Sequence, residues 1–319
     1  MAYKVLIPQD IMPEGKAYLT ERGHEIKMGS GITVDAIKAD VVDCDAILAR
    51  TAPFPAEVLE AGKKLKAVGR HGVGVDNIDV ARAEELGIWV TNAPESNSNT
   101  VAEHTALLIL ALARRLVKII EEFRAGNFNI RNELKGSDLA GKTLGVVGLG
   151  KIGRLVVRKM AAFDMNIIGY DEYLAVSSYP EGVEPSASWD DLFARADFIT
   201  LHIPATKDTQ GIVGENEFRL MKETACIINA ARGEVVDEPA LIAALQNGSI
   251  GGAGLDVFAT EPPGSDNPLL SMDNVIATPH NAALTTECMR RMAIHAAMGI
   301  DDALNGRVPK WPVNEPKVG

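Results

Sequence analysis

The sequence predicts an α/β protein made of two doubly wound parallel sheets, on three observations. Short apolar runs alternate with amphipathic stretches along the chain, the pattern of strands buried on both faces and the helices that cover them. Glycine closes several of the amphipathic stretches, where a helix stops most readily. The 319 residues exceed what one hydrophobic core of about 150 residues requires, so two domains are expected.

In the first part, strands are expected at 5–8, 25–28, 46–49, 65–70 and 88–90, and helices at 14–22, 34–39, 56–61 and 80–86. Gly23, Gly62 and Gly87 mark three of the helix ends. Thr100-Val-Ala-Glu103 reads as a capping box, with the Thr side chain capping and Glu103 reaching back. Behind it, 101–120 is long and nearly all-round hydrophobic. It is expected to be one helix that bridges the domains and forms part of a subunit interface.

The centre of the chain is Leu144-Gly-Val-Val-Gly-Leu-Gly-Lys-Ile-Gly153. A β-branched strand, 143–147, runs into Gly148, Gly150 and Gly153. Helical spacing resumes over 154–163, and a second strand, 166–170, ends at Asp171. The first glycine permits a tight turn, the second lets backbone approach a pyrophosphate, and the third lets helix and strand pack closely. The helix start then offers unpaired N–H groups to the phosphates. Strand, glycine turn, helix, strand and acid together make a dinucleotide fingerprint, so the domains are Rossmann-like/flavodoxin-like. Asp171 can accept from both ribose hydroxyls, and with Glu172 it repels a 2′-phosphate. No Arg or Lys follows in 173–178, so NAD is favoured over NADP.

Beyond the motif, strands are expected at 198–203, 226–230, 253–257 and 275–277, and helices at 215–221 and 238–246. A last amphipathic helix, 287–304, has no strand of its own and must dock elsewhere, with the first domain as the expected partner.

Composition narrows the function. The chain is 46% hydrophobic and 24% charged, with formal net charge −11, so nucleic acid and anionic membrane are not expected partners. Met1-Ala-Tyr-Lys4 leads straight into Val5-Leu-Ile7, which does not read as a secretory leader. No apolar stretch is long enough to span a bilayer. Cys44, Cys226 and Cys288 lie far apart and read as free thiols of a reducing compartment, so a cytoplasmic location is expected. No HExxH or Cys/His cluster supports a metal.

Ligands of open α/β sheets sit beyond the carboxyl ends of the strands, and three such ends carry reactive side chains. Arg232 follows Ile227-Ile-Asn-Ala-Ala231, Glu261 follows Leu255-Asp-Val-Phe-Ala-Thr260, and His280 follows Val275-Ile-Ala-Thr-Pro279. An Arg fork suits a 2-oxo acid, gripping carboxylate and carbonyl oxygens. His280 can give a proton to a nascent alkoxide and take it back. Glu261, on the other imidazole nitrogen, would fix the tautomer and stabilise the charged form. Taken singly, each residue also reads as an ordinary surface charge or strand terminator. Their joint placement points to hydride transfer with a small 2-hydroxy/2-oxo acid.

At these residues the chain resembles the D-2-hydroxyacid dehydrogenases of the phosphoglycerate dehydrogenase type. The likeness runs through Gly72-Val-Gly-Val-Asp-Asn-Ile-Asp79, Asn92-Ala-Pro94, Val101-Ala-Glu103, the glycine motif, Asp197-Phe-Ile-Thr-Leu-His-Ile-Pro204, Asn229-Ala-Ala-Arg-Gly233, Leu255-Asp-Val-Phe258, Glu261-Pro-Pro263 and Thr278-Pro-His280. The resemblance implies that Arg232, Glu261 and His280 are the catalytic set. It implies cofactor contacts at Lys151 and Ile152, Asp171, Ile203, Ala230, Ala231, Arg232, Asp256 and the segment from His280 to Ala283. Substrate binding is implied at the backbone of Arg70-His71-Gly72-Val73-Gly74. It further implies a discontinuous substrate-binding domain, 1–99 plus 285–319, an NAD-binding Rossmann domain, 100–284, a cleft between them, and a homodimer or homotetramer joined through the cofactor domain and the long helix.

Departures bear on the substrate. His71 stands where phosphoglycerate enzymes more often have a small residue, so it is expected to narrow or polarise the pocket. Asn281 follows the catalytic His where many relatives carry a small or apolar residue. Arg50 and Asn97 match positions that hold the substrate phosphate in some relatives, and they read equally as a structural Arg and a turn Asn. His104 reads as helix packing. Glu261, rather than Gln, argues against formate dehydrogenase, and the chain as given is expected to lack the regulatory serine-binding domain of some relatives. D-3-phosphoglycerate dehydrogenase activity is the leading expectation, with hydroxypyruvate or glyoxylate reduction as the alternative. A non-catalytic NADH-sensing, corepressor-like protein is the alternative of another class.

Overall fold

A computed structural model describes residues 2–316; residues 1 and 317–319, which end the expected segments 1–99 and 285–319, lie outside the described residues. The chain divides into two units, Met1–Asn97 with Leu284–Gly319, and Ser98–Ala283.

The first unit runs β1 (Lys4–Ile7), α1 (Pro13–Glu21), β2 (Glu25–Met28), α2 (Val34–Val41), β3 (Ala46–Ala49), α3 (Ala56–Ala61), β4 (Ala67–Arg70), α4 (Val80–Glu85) and β5 (Trp89–Thr91). The sheet order is β2-β1-β3-β4-β5, with every pairing parallel. That is the flavodoxin-like winding, with the order reversing between β1 and β3. β3 is buried along its whole length, which is why it reads as a continuous apolar run rather than an alternation.

In the second unit, α5 (Ser98–Ala113), α6 (Leu116–Arg124) and α7 (Ile130–Glu133) precede β6 (Thr143–Val147), α8 (Lys151–Ala161), β7 (Asn166–Tyr170), β8 (Val183–Pro185), α9 (Trp189–Arg195) and β9 (Phe198–Leu201). α10 (Glu215–Leu220), β10 (Cys226–Asn229), α11 (Glu238–Gln246), β11 (Gly252–Leu255) and β12 (Val275–Ala277) complete it. Its seven strands lie in the order β12-β11-β10-β9-β6-β7-β8, again all parallel. This is the Rossmann winding, with its switch point between β6 and β9.

The last helix, α12 (Thr286–Leu304), belongs to the first unit. Ala293, Ala296, Ala297 and Ile300 are fully buried in one cluster with Val5, Ala46, Leu48 and Ala67. Small residues let the helix axis come close to the sheet. A Cβ on Gly69 of β4 would lie 2.6 Å from the Ala296 carbonyl oxygen and 2.7 Å from Ile300 Cγ1.

Two local expectations fail at the start of the second unit. Thr100 is not a helix cap: α5 begins at Ser98, and Thr100 is buried inside its first turn. Glu103 instead accepts from the Asn99 amide at 2.7 Å and faces Lys159 at 3.4 Å. Nor is 101–120 one helix. Ser137 N–H takes the Ala113 carbonyl at 2.7 Å, and Arg115 turns left-handed with φ 52°, so α6 starts a new direction. α8 begins at Lys151, three residues before helical spacing was expected to resume, because Gly150 ends the turn as its N-cap. β8 and α9 fall in a polar stretch that carries no strong periodicity.

Gly69→Ala should cost about 1–3 kcal/mol, the usual penalty of overpacking a well-filled contact. Urea unfolding measures it, and an unchanged midpoint would mean that α12 does not pack on β4 as described.

Candidate active site

Parallel pairing brings the carboxyl ends of all the strands of the second unit to one edge. At the end of β6, Gly148 takes φ +89°, which a side chain resists. A Cβ there would also lie 2.7 Å from the His202 carbonyl oxygen. Gly150 has nothing within 4 Å of where its Cβ would be, whereas a Cβ on Gly153 would fall 2.0 Å from the Gly148 carbonyl oxygen. The middle glycine therefore leaves open space over its backbone, and the third seats α8 against the turn. No side chain caps the start of α8, so its first N–H groups are open to an anion. Lys151 is exposed there, with Ile152 half-buried.

Asp171 ends β7, with its carboxylate anchored toward the glycine turn. Oδ2 accepts from Leu149 N at 2.8 Å, and Oδ1 accepts from Tyr173 N and Leu174 N, both at 3.0 Å. The Tyr179 hydroxyl oxygen receives the Asp171 N–H at 3.0 Å. Three amides fix the carboxylate yet leave lone pairs for ribose hydroxyls, since two oxygens offer about four acceptor sites. An open helix start, a bare glycine backbone and an oriented acid suit a dinucleotide.

After β9, His202 and Ile203 are half-buried. The His202 ring lies 3.0 Å from the Thr200 hydroxyl, and burial holds its pKa down at about 4. After β10, Asn229 is 1% exposed. Its side chain accepts from Ala231 N at 3.0 Å and donates to the Arg232 carbonyl at 2.8 Å, which shapes the turn Ala230, Ala231, Arg232. Arg232 Nη1 donates to the Ala231 carbonyl at 2.8 Å.

β11 and β12 present the other two candidates together. His280 Nδ1 lies 2.7 Å from Glu261 Oε2, and Glu261 Oε1 accepts from Phe258 N at 3.1 Å. With Nδ1–H engaged by the carboxylate, Nε2 is the nitrogen left to exchange a proton. His280 holds φ 49°, a left-handed conformation that costs a residue with a side chain about 1–2 kcal/mol. Asp256 underlies that turn. It is 1% exposed and accepts from Asn281 N and Ala282 N, both at 2.9 Å, and from the Thr278 hydroxyl at 2.6 Å. The carboxylate expected to meet a cofactor thus also orders the loop from Thr278 to Ala282, and with three donors on two oxygens it keeps acceptor capacity.

Arg232, Glu261 and His280 therefore stand at the ends of three neighbouring strands of one unit. Arg50, His71, Gly72, Val73, Gly74 and Asn97 belong to the other. Arg50 Nη1 donates to the Asp10 carbonyl at 2.5 Å. The Arg70 guanidinium bonds the His71 carbonyl, and Ala93 N and the Asn92 amide hold the Gly72 and Val73 carbonyls at 2.8 Å. Asn97 Oδ1 is buried and, among the described residues, has no hydrogen-bond partner. His71 is 4% exposed. Burial, with the Arg50 and Arg70 charges, holds its pKa down at about 4, so the ring is neutral at physiological pH.

Asn229, Thr278 and Tyr179, together with the loop-holding part of Asp256, are supporting roles that motif reading passed over. A polar residue closing an apolar run, as Asn229 does in Ile227-Ile-Asn229, was the available signal. Among the described residues, no cluster of His, Cys, Asp and Glu could hold a metal, no helix is long and apolar enough to cross a membrane, and Cys44, Cys226 and Cys288 are free and buried.

These features define a dinucleotide-dependent α/β protein. Residues 106–282 match the profile of the D-isomer specific 2-hydroxyacid dehydrogenase family, NAD binding domain. The chain belongs to this family. It is 43% identical over 317 residues to a D-3-phosphoglycerate dehydrogenase of Methanocaldococcus jannaschii, covering 99% of this chain and 60% of the relative. It is 41% identical over 280 residues to a glyoxylate reductase of Korarchaeum cryptofilum, covering 86% of this chain and 84% of that one. A crystal structure of D-lactate dehydrogenase with NAD+ from Lactobacillus jensenii superposes with TM-score 0.81 at 29% identity, over 98% of this chain and 100% of that chain. The chain spans about 60% of the length of the archaeal phosphoglycerate dehydrogenases it matches.

Two measurements follow from this geometry. Asp171→Asn keeps the shape of the side chain and removes the charge. It should weaken NAD by roughly 10–100-fold, the worth of a charge-assisted hydrogen bond, and shift preference toward NADP; an unchanged ratio of dissociation constants would reject the charge argument. For His71, the unfolded chain takes a proton near pH 6.5 and the folded chain only near 4. The unfolded state therefore holds more protons between those values, and stability falls as pH drops through that window. At about 1.4 kcal/mol per unit this amounts to about 3 kcal/mol. His71→Leu should flatten the loss of denaturant midpoint between pH 7 and 4, and an unaltered slope would exclude His71 as its source.

Proposed function

We propose that this chain is an NAD-dependent dehydrogenase or reductase of small D-2-hydroxy acids and their 2-oxo partners. The observation that carries the reading is the His280 Nδ1 to Glu261 Oε2 contact of 2.7 Å on the strand-end edge that also bears the glycine turn. A bound NADH supplies the hydride; the residues supply position, charge and the proton. Gly148, Gly150 and Gly153 with the start of α8 would hold the pyrophosphate, and Asp171 the ribose. Ile203, Ala230, Ala231 and the turn from His280 to Ala283 would line the nicotinamide end. Arg232 would grip the carboxylate and carbonyl oxygens of the acid, drawing charge toward the oxygen that becomes the alkoxide. His280 gives its Nε2 proton to that oxygen during reduction and accepts it during oxidation. Glu261, ionised at the other nitrogen, stabilises the charged imidazolium on which this depends.

The first unit supplies the substrate side in this reading. Backbone of Arg70 to Gly74 meets the acid, Arg50 and Asn97 receive a second anionic group, and His71 bounds the pocket as a neutral ring. A phosphorylated three-carbon acid is the leading substrate, supported by the relatives named D-3-phosphoglycerate dehydrogenase. Glyoxylate or hydroxypyruvate is the second reading, favoured by the glyoxylate reductase, which is matched over most of its own length. A homodimer or homotetramer is further proposed. Leu116, Ile120 and Phe123 follow helical spacing along α6, and with Val117 and Phe128 they leave side chains exposed by 38% to 63%, an apolar face that a second copy would cover. A cytoplasmic setting accords with three free thiols.

NADH oxidation against a panel of phosphorylated and unphosphorylated 2-oxo acids tests the reading. In the same assay His280→Gln should lose about 10²–10⁴-fold in kcat, the usual worth of general acid catalysis, with NADH binding intact. Near-normal turnover would remove His280 from its role. NADH binding without turnover of any acid by the unaltered chain would favour a sensor.

A further inference from the structure

His104, on α5, has no part in the reaction proposed above, yet its ring ends at the loop that carries His280. Its Nε2 lies 3.1 Å from the Thr278 hydroxyl and 3.6 Å from Asp256 Oδ1, and its side chain is 14% exposed. The direction of these bonds can be worked out. Thr278 Oγ has one proton and lies 2.6 Å from Asp256 Oδ1 and 3.3 Å from the Leu255 carbonyl. The carboxylate already accepts two amides of the loop, Asn281 N and Ala282 N, so the hydroxyl proton goes to the nearer oxygen, Oδ1. Oγ must then accept from His104, which fixes the Nε2–H tautomer and makes a relay from His104 through Thr278 to Asp256.

The relay ends on strained backbone. His280, at φ 49°, donates its N–H to the Asp256 carbonyl at 2.8 Å and to the Thr278 carbonyl at 3.0 Å. A left-handed residue with a side chain persists only where its surroundings over-determine it. Here both flanks are held: Thr278 by its hydroxyl, and Asn281 and Ala282 by the Asp256 carboxylate. Asp256 is almost wholly buried and keeps its place only with its acceptors satisfied. The geometry points to His104 as a positioning residue that, through Thr278 and Asp256, holds the turn of residues 278–282 and so presents the His280 imidazole to Glu261. Its kinetic consequence rests on His280 being the proton donor; its structural part does not.

The test uses the full chain labelled with ¹⁵N-histidine. The His104 ring should show the Nε2–H tautomer. His104→Leu should move the His280 imidazole resonances, which are assigned by their loss in His280→Gln. In turnover, His104→Leu should lower kcat on the order of 10²-fold, as small misplacements of a reacting group do. His104→Gln, which keeps a donor, should hold kcat within about threefold. The pair Thr278→Val and Thr278→Ser should repeat the contrast and decides the matter should His104→Leu not fold. Unmoved His280 resonances, an Nδ1–H tautomer at His104, or a Gln variant as impaired as the Leu variant would each overturn the relay. A wild-type chain that turns over no 2-oxo acid would defeat the dehydrogenase reading, while the resonances still decide the positioning.

Discussion

Every pairing in the seven-stranded sheet is parallel, and this constraint carries the rest of the cofactor unit. Parallel strands deliver all their carboxyl ends to one edge. Turns separated by more than a hundred residues, such as Gly148 and His280, therefore open onto the same rim. An antiparallel strand among β10, β11 and β12 would send Arg232, Glu261 or His280 to the far edge. The order reversal between β6 and β9 adds the second element. Helices leave the sheet in opposite directions there, so the glycine turn faces open space, as the empty surroundings of a Cβ on Gly150 record. Brought together, the rim offers an anion site at a helix start and an acid–imidazole pair at the ends of β11 and β12, two and three strands away from β9.

Position on a rim is coarse, within a few ångströms, whereas proton transfer needs hydrogen-bond accuracy. The finer adjustment comes from buried polar groups that hold the turns. Asn229 folds the Ala230 to Arg232 turn through both ends of its amide. Asp256 does the same for the His280 turn, with two amides and a hydroxyl on one carboxylate. Each is about 1% exposed and would be costly without its partners, at about 1–3 kcal/mol for an unsatisfied buried group. That cost favours the turn conformations in which these groups are paired.

The relation of sequence to structure follows from the same division of labour. Strands 46–49, 143–147, 166–170 and 275–277 were legible to the residue, because short apolar runs bounded by polar or turn residues mark them, most fully in 46–49, which is buried along its whole length. The glycine turn and Asp171 were legible because backbone geometry restricts the residue types that fit. α5 was misread because its burial hid its ends. Nothing in an apolar run announces that Ser137, distant in sequence, will take the Ala113 carbonyl and stop the helix. The part of Asp256 in ordering the loop was hidden for a similar reason. An acid at a strand end can serve ligand, loop or both, and only the three-dimensional position of Thr278, Asn281 and Ala282 reveals the loop role. β8 and α9 lie in a segment whose polar surfaces carry little periodicity; β8 is ordered by pairing with β7, and α9 by burying Leu192 and Phe193 in the core of its unit.

A chain of formal net charge −11 is an unpromising partner for an anionic acid until the range of the field is considered. At physiological ionic strength charges more than about 8 Å apart are largely screened, so the overall excess of carboxylates matters little at a given loop. What counts is the local set. In the first unit, burial, helped by the Arg50 and Arg70 charges, keeps the His71 ring neutral. A neutral imidazole near two guanidiniums adds no third positive charge. In the reading proposed above, two permanently charged forks beside a neutral ring would attract a doubly charged acid without a further cation to hold it.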